Sequence, residues 1–251
     1  MILDEILRRT QKRVAALPVS FPEPARRDAR SLAGAIRGRN GKNAVIAEIK
    51  CASPSKGAIR RNVDMALMAG LFAGSGCVAL SVLTEPHFFG GSTKDIAVAR
   101  SAAAVPVLRK DFIIDERQIA ESRALGADAI LLIAAVLGGR LPEFVDTALA
   151  SGLEPLVEVH NTAEAEAALG TKATLIGINN RDLATLNIDR STTRILSGAI
   201  RPSGRLIVSE SGMRSADDVR EMRGYCDAFL IGSSIMSADR PERKLEEFVC
   251  A

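Results

Sequence analysis

One feature constrains this chain more than any other: a short, branched apolar run recurs eight times between residues 44 and 232. The runs read "AVIAEIK", "CVALSVL", "VPVLRK", "DAILLI", "EPLVEV", "TLIGIN", "RLIVSE" and "DAFLIG". Each has the character of a buried strand, and segments of helical period lie between them. Start and stop signals mark those segments. Thr162 opens "TAEAEAALG", which closes on Gly170, and Ser215 opens "SADDVREMRG", which closes on Gly224. Eight strands alternating with helices, at roughly 20–35 residues per unit, predict an α/β fold of the (β/α)8 TIM barrel type. A doubly wound open sheet usually has fewer strands and a glycine-rich first turn, which is absent here. The 251 residues are ample for one such core, so residues 1–251 are expected to form a single barrel domain.

Residues 1–43 stand outside the eightfold pattern and predict an N-terminal helical extension. In "MILDEILRRTQKRVAAL" the apolar residues Ile2, Leu3, Ile6, Leu7 and Val14 alternate with basic ones, as in an amphipathic helix packed on the body. Asp4 and Glu5 and the broken apolar run argue against a targeting peptide. After Pro22 and Pro24 a second helix is expected from about Asp28 to Arg37.

In a parallel barrel the chemistry sits at the C-terminal strand ends, so polar residues there are informative. The first run ends in Glu48 and Lys50, the third in Lys110 and Asp111, and the fifth in Glu158 and His160. The sixth ends in Asn179, Asn180 and Arg181, and the seventh in Glu210 and Ser211. Residues two apart on a strand share a face, so Glu48 and Lys50 point the same way. One such charge could be an outward salt bridge. Five strands with charges or amides at the same end predict a wet functional pocket, because burying so many ionisable groups elsewhere costs several kcal/mol each. Desolvation alone would lower the pKa of Lys110 and raise that of Glu158, while opposite charges nearby would oppose both shifts. The last two runs end differently. "ESG" and "IGSS" place Ser211, Gly212, Gly232 and Ser233 at the mouth, where bare backbone N–H groups after the seventh and eighth strands form this fold's recurrent phosphate site.

Composition narrows the partners. A net charge of +3 demands neither nucleic acid nor a membrane, though it suits an anionic small molecule. With one tyrosine and no tryptophan there is no base-stacking platform. Cys51, Cys77, Cys226 and Cys250 lack paired spacing, and His87 and His160 are the only histidines, so neither a zinc site nor a disulfide framework is legible. A reducing cytoplasm is the expectation. No apolar run is long enough to span a bilayer.

Taken in order, "IAEIKCASPSKG", "SVLTE", "FFGGS", "PVLRKDFIID", "GADAILLI", "LVEVH", "IGINNRDL", "SESGM" and "LIGSSIM" resemble indole-3-glycerol phosphate synthase of tryptophan biosynthesis. The resemblance spans roughly residues 44–236, touches all eight strands, and accommodates a helical extension before the barrel. It implies conversion of 1-(2-carboxyphenylamino)-1-deoxyribulose 5-phosphate to indole-3-glycerol phosphate, CO2 and water. No metal, organic cofactor or obligate protein partner is implied. Lys110 would be the general acid at the ribulose carbonyl, and Lys50 would pair with the substrate carboxylate. Glu158 would stabilise positive charge on nitrogen, with Glu48, Asn179 and Glu210 orienting the reacting groups. Ser53, Ser211, Gly212, Gly232 and Ser233 would hold the phosphate, with Lys56 on the following loop and Arg181 in support. Residues 51–61, with Pro54 and Gly57, look like a lid. Cys51 departs from the family, which usually has a basic residue there, and by alternation it should face away from Lys50. "GLFAGSGC" also lacks a tyrosine–glutamate pair common in the family's first barrel helix.

Two other readings compete on the residues alone. One is a different phosphate-binding barrel, a sugar-phosphate isomerase or a Schiff-base aldolase using Lys110. The other is a barrel that only binds anions or nucleic acid through "RRTQKR" and "ARRDAR".

Overall fold

The structure, a computed structural model, describes residues 2–22, 30–53, 57–60 and 63–251. The eight predicted runs are the strands of one closed parallel barrel: β1 (Ala44–Ile49), β2 (Ala79–Leu83), β3 (Val107–Lys110), β4 (Ala129–Ile133), β5 (Glu154–Val159), β6 (Leu175–Asn179), β7 (Leu206–Glu210) and β8 (Ala228–Ile231). Neighbours in sequence are neighbours in the sheet, and β1 closes on β8 with Ala47 beside Ile231. Several strands begin one or two residues later than their apolar runs, because the leading residue still belongs to the turn.

Period-two alternation sorts every strand into two cores. Ile46, Leu108, Leu131, Leu156, Leu175, Val208 and Leu230 fill the barrel interior. Val45, Val82, Val107, Ile130, Val157, Ile176 and Ile207 face outward onto the helices, where they meet Phe72, Phe144 and Phe248. Such layered filling makes the barrel a packed core rather than a pore.

The extension supplies a helix to each end. α1 (Ile2–Ala15) buries Ile6, Thr10 and Val14, one turn apart, with Asp4 and Glu5 in its first turn and Lys12 and Arg13 in its last, as the helix dipole favours. Ile6 belongs to the interior cluster that includes Phe112, just past the C-terminal end of β3. α2 (Leu32–Arg37) instead packs Leu32, Ala33 and Ile36 with Ala44, Ala79, Ala129 and Ala228, the first residues of their strands. It is shorter than expected: Arg30 and Ser31 are not helical, and Ser31 is the N-cap, its hydroxyl accepting from Gly34 N–H at 2.8 Å. The predicted start at Asp28 lies outside the described residues.

The remaining helices pack around the barrel. α3 (Met65–Gly74), α4 (Lys94–Ala102), α5 (Glu116–Leu125), α6 (Ala134–Leu137), α7 (Leu141–Ala150) and α8 (Thr162–Leu169) precede β6. α9 (Ser191–Ile200), α10 (Ala216–Met222), α11 (Ser233–Met236) and α12 (Pro241–Val249) follow it. Ser215 caps α10 as predicted. The cap of α8 is Asn161 rather than Thr162, because the extended backbone at Asn161 lets its side chain accept from Glu164 N–H.

Candidate active site

Every predicted site residue whose side chain is described lines one cavity of about 470 Å³ at the C-terminal mouth of the barrel. These are Glu48, Lys50, Lys110, Glu158, Asn179, Arg181, Glu210, Ser211, Gly212, Gly232 and Ser233. Lys56 lies outside the described residues. Ser53 is described only through its backbone, which pairs with Gly57 in a two-stranded hairpin. The rest of the predicted lid falls partly among undescribed residues.

Alternation decides which rim residues enter. Lys110 follows Leu108 into the barrel, and Glu158 follows Leu156. In "RKD" Arg109 turns outward instead, and Asp111, at the cavity edge, commits its carboxylate to Arg109 and Arg13. Arg109, fully buried, donates to Thr84 Oγ1 at 3.2 Å, the Gln118 carbonyl at 3.1 Å and Ser122 Oγ at 2.9 Å, and pairs with Asp111 at 3.0 Å and Glu121 at 2.8 Å. Asp111 also takes two 2.8 Å bonds from Arg13, which ties α1 down beside the mouth. Asn180 likewise faces away from the cavity, donating to Ser209 Oγ at 3.2 Å and the Ser211 carbonyl at 3.0 Å, and accepting from Thr193. Asn179 faces in.

At the centre stands Lys110. Its Nζ donates to Oε2 of Glu158 at 3.1 Å and lies 3.3 Å from Oε2 of Glu210. Lys50 Nζ pairs with Glu48 at 2.5 Å. Two glycines make room for these carboxylates: a methyl on Gly177 would strike Oε1 of Glu210, and one on Gly232 would strike Oε1 of Glu48. Gly232, predicted for phosphate, thus has a second reason to lack a side chain.

The charges set one another's ionisation, and at Lys110 and Glu158 the opposing charges expected from sequence prevail over burial. Burial pulls the Lys110 pKa down, but Glu158, Glu210 and Glu48 more than reverse it and hold the ammonium above its ordinary range. Burial pushes Glu158 up, yet Lys110 and His160, with a hydrogen bond from Asn179, hold its carboxyl well below the usual range. Glu210 behaves oppositely. Burial lifts it, Lys110 resists, and the repulsion of Glu158 and Glu48 helps carry it to about 8. Neither Glu210 oxygen accepts an aligned hydrogen bond.

The cavity walls have two characters. On the β2–β4 side Leu83, Phe89, Phe112, Leu131 and Ile133 join Ile2, Leu3 and Ile6 of α1 in an apolar surface. Phe89 is held there by Glu85, a buried carboxylate that accepts the N–H groups of His87, Phe88 and Phe89 at 3.0, 2.6 and 3.2 Å. On the β6–β8 side the wall is mixed: Leu183, Leu186, Ile188 and Met213 are interleaved with Asn179, Arg181, Ser211 and Arg214. Ser211 and Gly212 are both left-handed, at φ 66° and 94°, an unusual conformation for serine that Asn179 and Asn180 secure through its hydroxyl and carbonyl. Gly232 and Ser233 lead into α11 on the neighbouring strand. The apolar wall, Arg214 and Ser234 at the polar end, and His160 behind Glu158 were not singled out as site residues from sequence. "FFGGS" and "KDF" carried the aromatic signal, and His160 stood two residues from Glu158 on the same face.

Comparison with known proteins places the chain in a family. The indole-3-glycerol phosphate synthase family model matches residues 3–248. The chain belongs to that family. Indole-3-glycerol phosphate synthase of Burkholderia ambifaria is 46% identical over 254 residues, covering 97% of each protein. The Bordetella pertussis enzyme of the same name is 47% identical over 229 residues, covering 90% of this chain and 87% of its own. Among solved structures, ligand-free tryptophan synthase from M. tuberculosis superposes with a TM-score of 0.65 at 14% identity, covering 88% of this chain and 98% of that one. KGPDC from Streptococcus mutans gives 0.61, also at 14%, covering 82% and 95%. At that identity these two show the barrel fold alone. Family membership makes the chain a carboxy-lyase of tryptophan biosynthesis, and it removes the isomerase, aldolase and binding-only readings.

Proposed function

We propose that the mouth residues divide the work of one reaction: ring closure of 1-(2-carboxyphenylamino)-1-deoxyribulose 5-phosphate to indole-3-glycerol phosphate, with loss of CO2 and water. The observation that carries this reading is Lys110 inside the barrel, bonded to Glu158 and beside Glu210, between an apolar wall and a mixed one that holds the polar groups. The aromatic ring of the substrate fits the Phe89, Phe112 and Leu131 side. Its phosphate fits the Ser211, Gly212, Gly232 and Ser233 side, with Arg181 as the nearby cation, and Ser53 and Lys56 complete the proposed phosphate set. Binding the two ends bends the flexible ribulose chain across Lys110.

As general acid, Lys110 hands a proton to the ribulose carbonyl oxygen while the aromatic carbon attacks the carbonyl carbon. Its three carboxylate neighbours keep it charged until then. Glu158, held ionised, stabilises the positive charge that develops on the ring nitrogen. Lys50 exchanges Glu48 for the substrate carboxylate and releases it as CO2 when aromaticity returns. Glu210, titrating near 8, is suited to trading the proton that dehydration requires, while Asn179 orients Glu158. Ser233→Asp would put a carboxylate against the phosphate and raise KM.

We further read residues 1–251 as one barrel domain with residues 1–43 as its extension, acting in the cytoplasm on this phosphorylated small molecule without nucleic acid or an obligate protein partner. The free cysteines suit a reducing compartment. Among the described residues no helix is long and apolar enough to cross a membrane. The deciding experiment is conversion of the carboxyphenylamino-deoxyribulose phosphate by purified protein, followed by indole absorbance. Product formation is expected; an inert protein that still binds substrate would refute the reading.

A further inference from the structure

His160 is not among the cavity-lining residues, yet its ring stands directly behind one of them. It directly follows the last residue of β5, two positions after Glu158, and its ring lies on the same side as that carboxylate. Its Nε2 lies 3.3 Å from Oε1 of Glu158, and its Nδ1 lies 3.0 Å from Oε2 of Glu164. The imidazole therefore stands between two carboxylates, hydrogen-bonded to Glu164 at Nδ1 and in charge contact with Glu158 at Nε2, without an aligned hydrogen bond there. Glu164 is fixed in turn by the start of α8. It accepts the His160 N–H at 2.8 Å and the Asn161 side-chain amide at 2.6 Å, while its own N–H donates to the Asn161 side chain at 3.0 Å. A helix cap thus holds Glu164, Glu164 holds the imidazole, and the imidazole faces the oxygen of Glu158 that Lys110 leaves free.

We propose that His160 is a positioning residue for the reaction: an imidazolium that fixes the carboxylate of Glu158 from behind while Lys110 holds it from the cavity side. This rests on the assignment of Glu158 to the chemistry. A carboxylate with one partner can swing; one pinned at both oxygens presents a fixed edge to substrate. Burial opposes a charged ring, but Glu158 and Glu164 overcome it and lift His160 to about 10, so both contacts persist through neutral pH. The charged groups that face the ring are Glu158 on β5, Glu164 on α8 and, more weakly, Asp182 after β6, all anionic.

The chain has only two histidines, so proton NMR of the imidazole C–H groups can follow His160, with His160→Gln identifying its resonance. In the intact protein His160 should stay protonated past neutrality, and its midpoint should fall by a unit or more in Glu158→Gln and in Glu164→Gln. In steady-state assays His160→Gln should lower kcat by about tenfold with KM within about threefold, in the range that misplacing a catalytic group costs. Losing a cation beside Glu158 raises its pKa, so the acid limb of kcat should move to higher pH, a change that a merely structural histidine would not produce. The second variant, Glu164→Gln, should show the same limb shift in weaker form. A His160 midpoint indifferent to Glu158→Gln would overturn the proposal, as would His160→Gln with an unmoved acid limb and unchanged kcat. If the unsubstituted protein makes no indole-3-glycerol phosphate, the reaction assignment fails instead, and the titration still decides whether the two groups are coupled.

Discussion

Two polar populations occupy the C-terminal rim of this barrel, one residue apart in sequence and opposite in design. Arg109, Asn180 and Ser209 face the helices, Asp111 stands at the cavity edge, and their polar atoms meet close partners. Glu48, Lys110, Glu158 and Glu210 face the cavity with fewer partners than they could use, Glu210 with no aligned hydrogen bond at all. Satisfied groups hold a fold together; unsatisfied ones wait for a ligand. The inward set is tolerable only because opposite charges offset one another's desolvation. The resulting spread, with Lys110 held charged, Glu158 held ionised and Glu210 lifted to about 8, separates the groups that stabilise charge from the one that moves a proton.

The largest expected break in this contrast is in activity. Lys110→Met should lower kcat by about two to four orders of magnitude, the usual worth of a positioned acid, with melting close to that of the unsubstituted protein. A variant that turned over normally would end the role given to Lys110. Moving one residue should invert the result. Arg109→Met leaves the half-buried Glu121 without this cation and the buried Asp111 with Arg13 alone, and should cost about 3–5 kcal/mol of stability, measured by denaturant unfolding, while any protein still folded retains catalysis. A third effect sharpens the comparison through pH. Glu210 is raised from 4.5 to about 8 in the folded state, so its contribution to stability is full below 4.5 and is lost as pH climbs through 8. Asp111 is lowered by Arg109 and Arg13 against burial, so its contribution is present above its ordinary value and is lost as the solution is acidified. Glu210→Gln should therefore flatten the decline of melting temperature between pH 4.5 and about 8, and Asp111→Asn the decline on the acid side. About 1 kcal/mol corresponds to roughly 2–4 °C at this chain length, well within calorimetric reach. The smallest effect belongs to Cys51, which does not line the cavity. Cys51→Ser should leave kcat/KM within about twofold.

Sequence reasoning found the strands and the inward set because both rest on period-two alternation, which a one-dimensional pattern preserves. The same rule, applied outward, also shows why Arg109 could not share the pocket of Lys110. Other features were hidden for physical reasons. The apolar wall gathers Phe89, Phe112, Leu131 and the distant α1, a convergence that only chain closure reveals. The directions of the Lys110 and Glu158 shifts depend on contacts 3.1–3.3 Å long between separate strands, which local burial does not foretell. The α8 cap moved by one residue because Asn161 was extended and Thr162 already helical. His160 was visible beside Glu158, but its link to Glu164 needed the cap geometry.

The account turns on Lys110 and Glu158 working as one unit inside the barrel mouth. Single-turnover formation of indole-3-glycerol phosphate by Lys110→Met, Glu158→Gln and the double variant measures that directly. Groups that act together should give a double variant scarcely slower than the worse single one, far short of the product of the two losses. Losses that multiply in full would mean independent residues and contradict it.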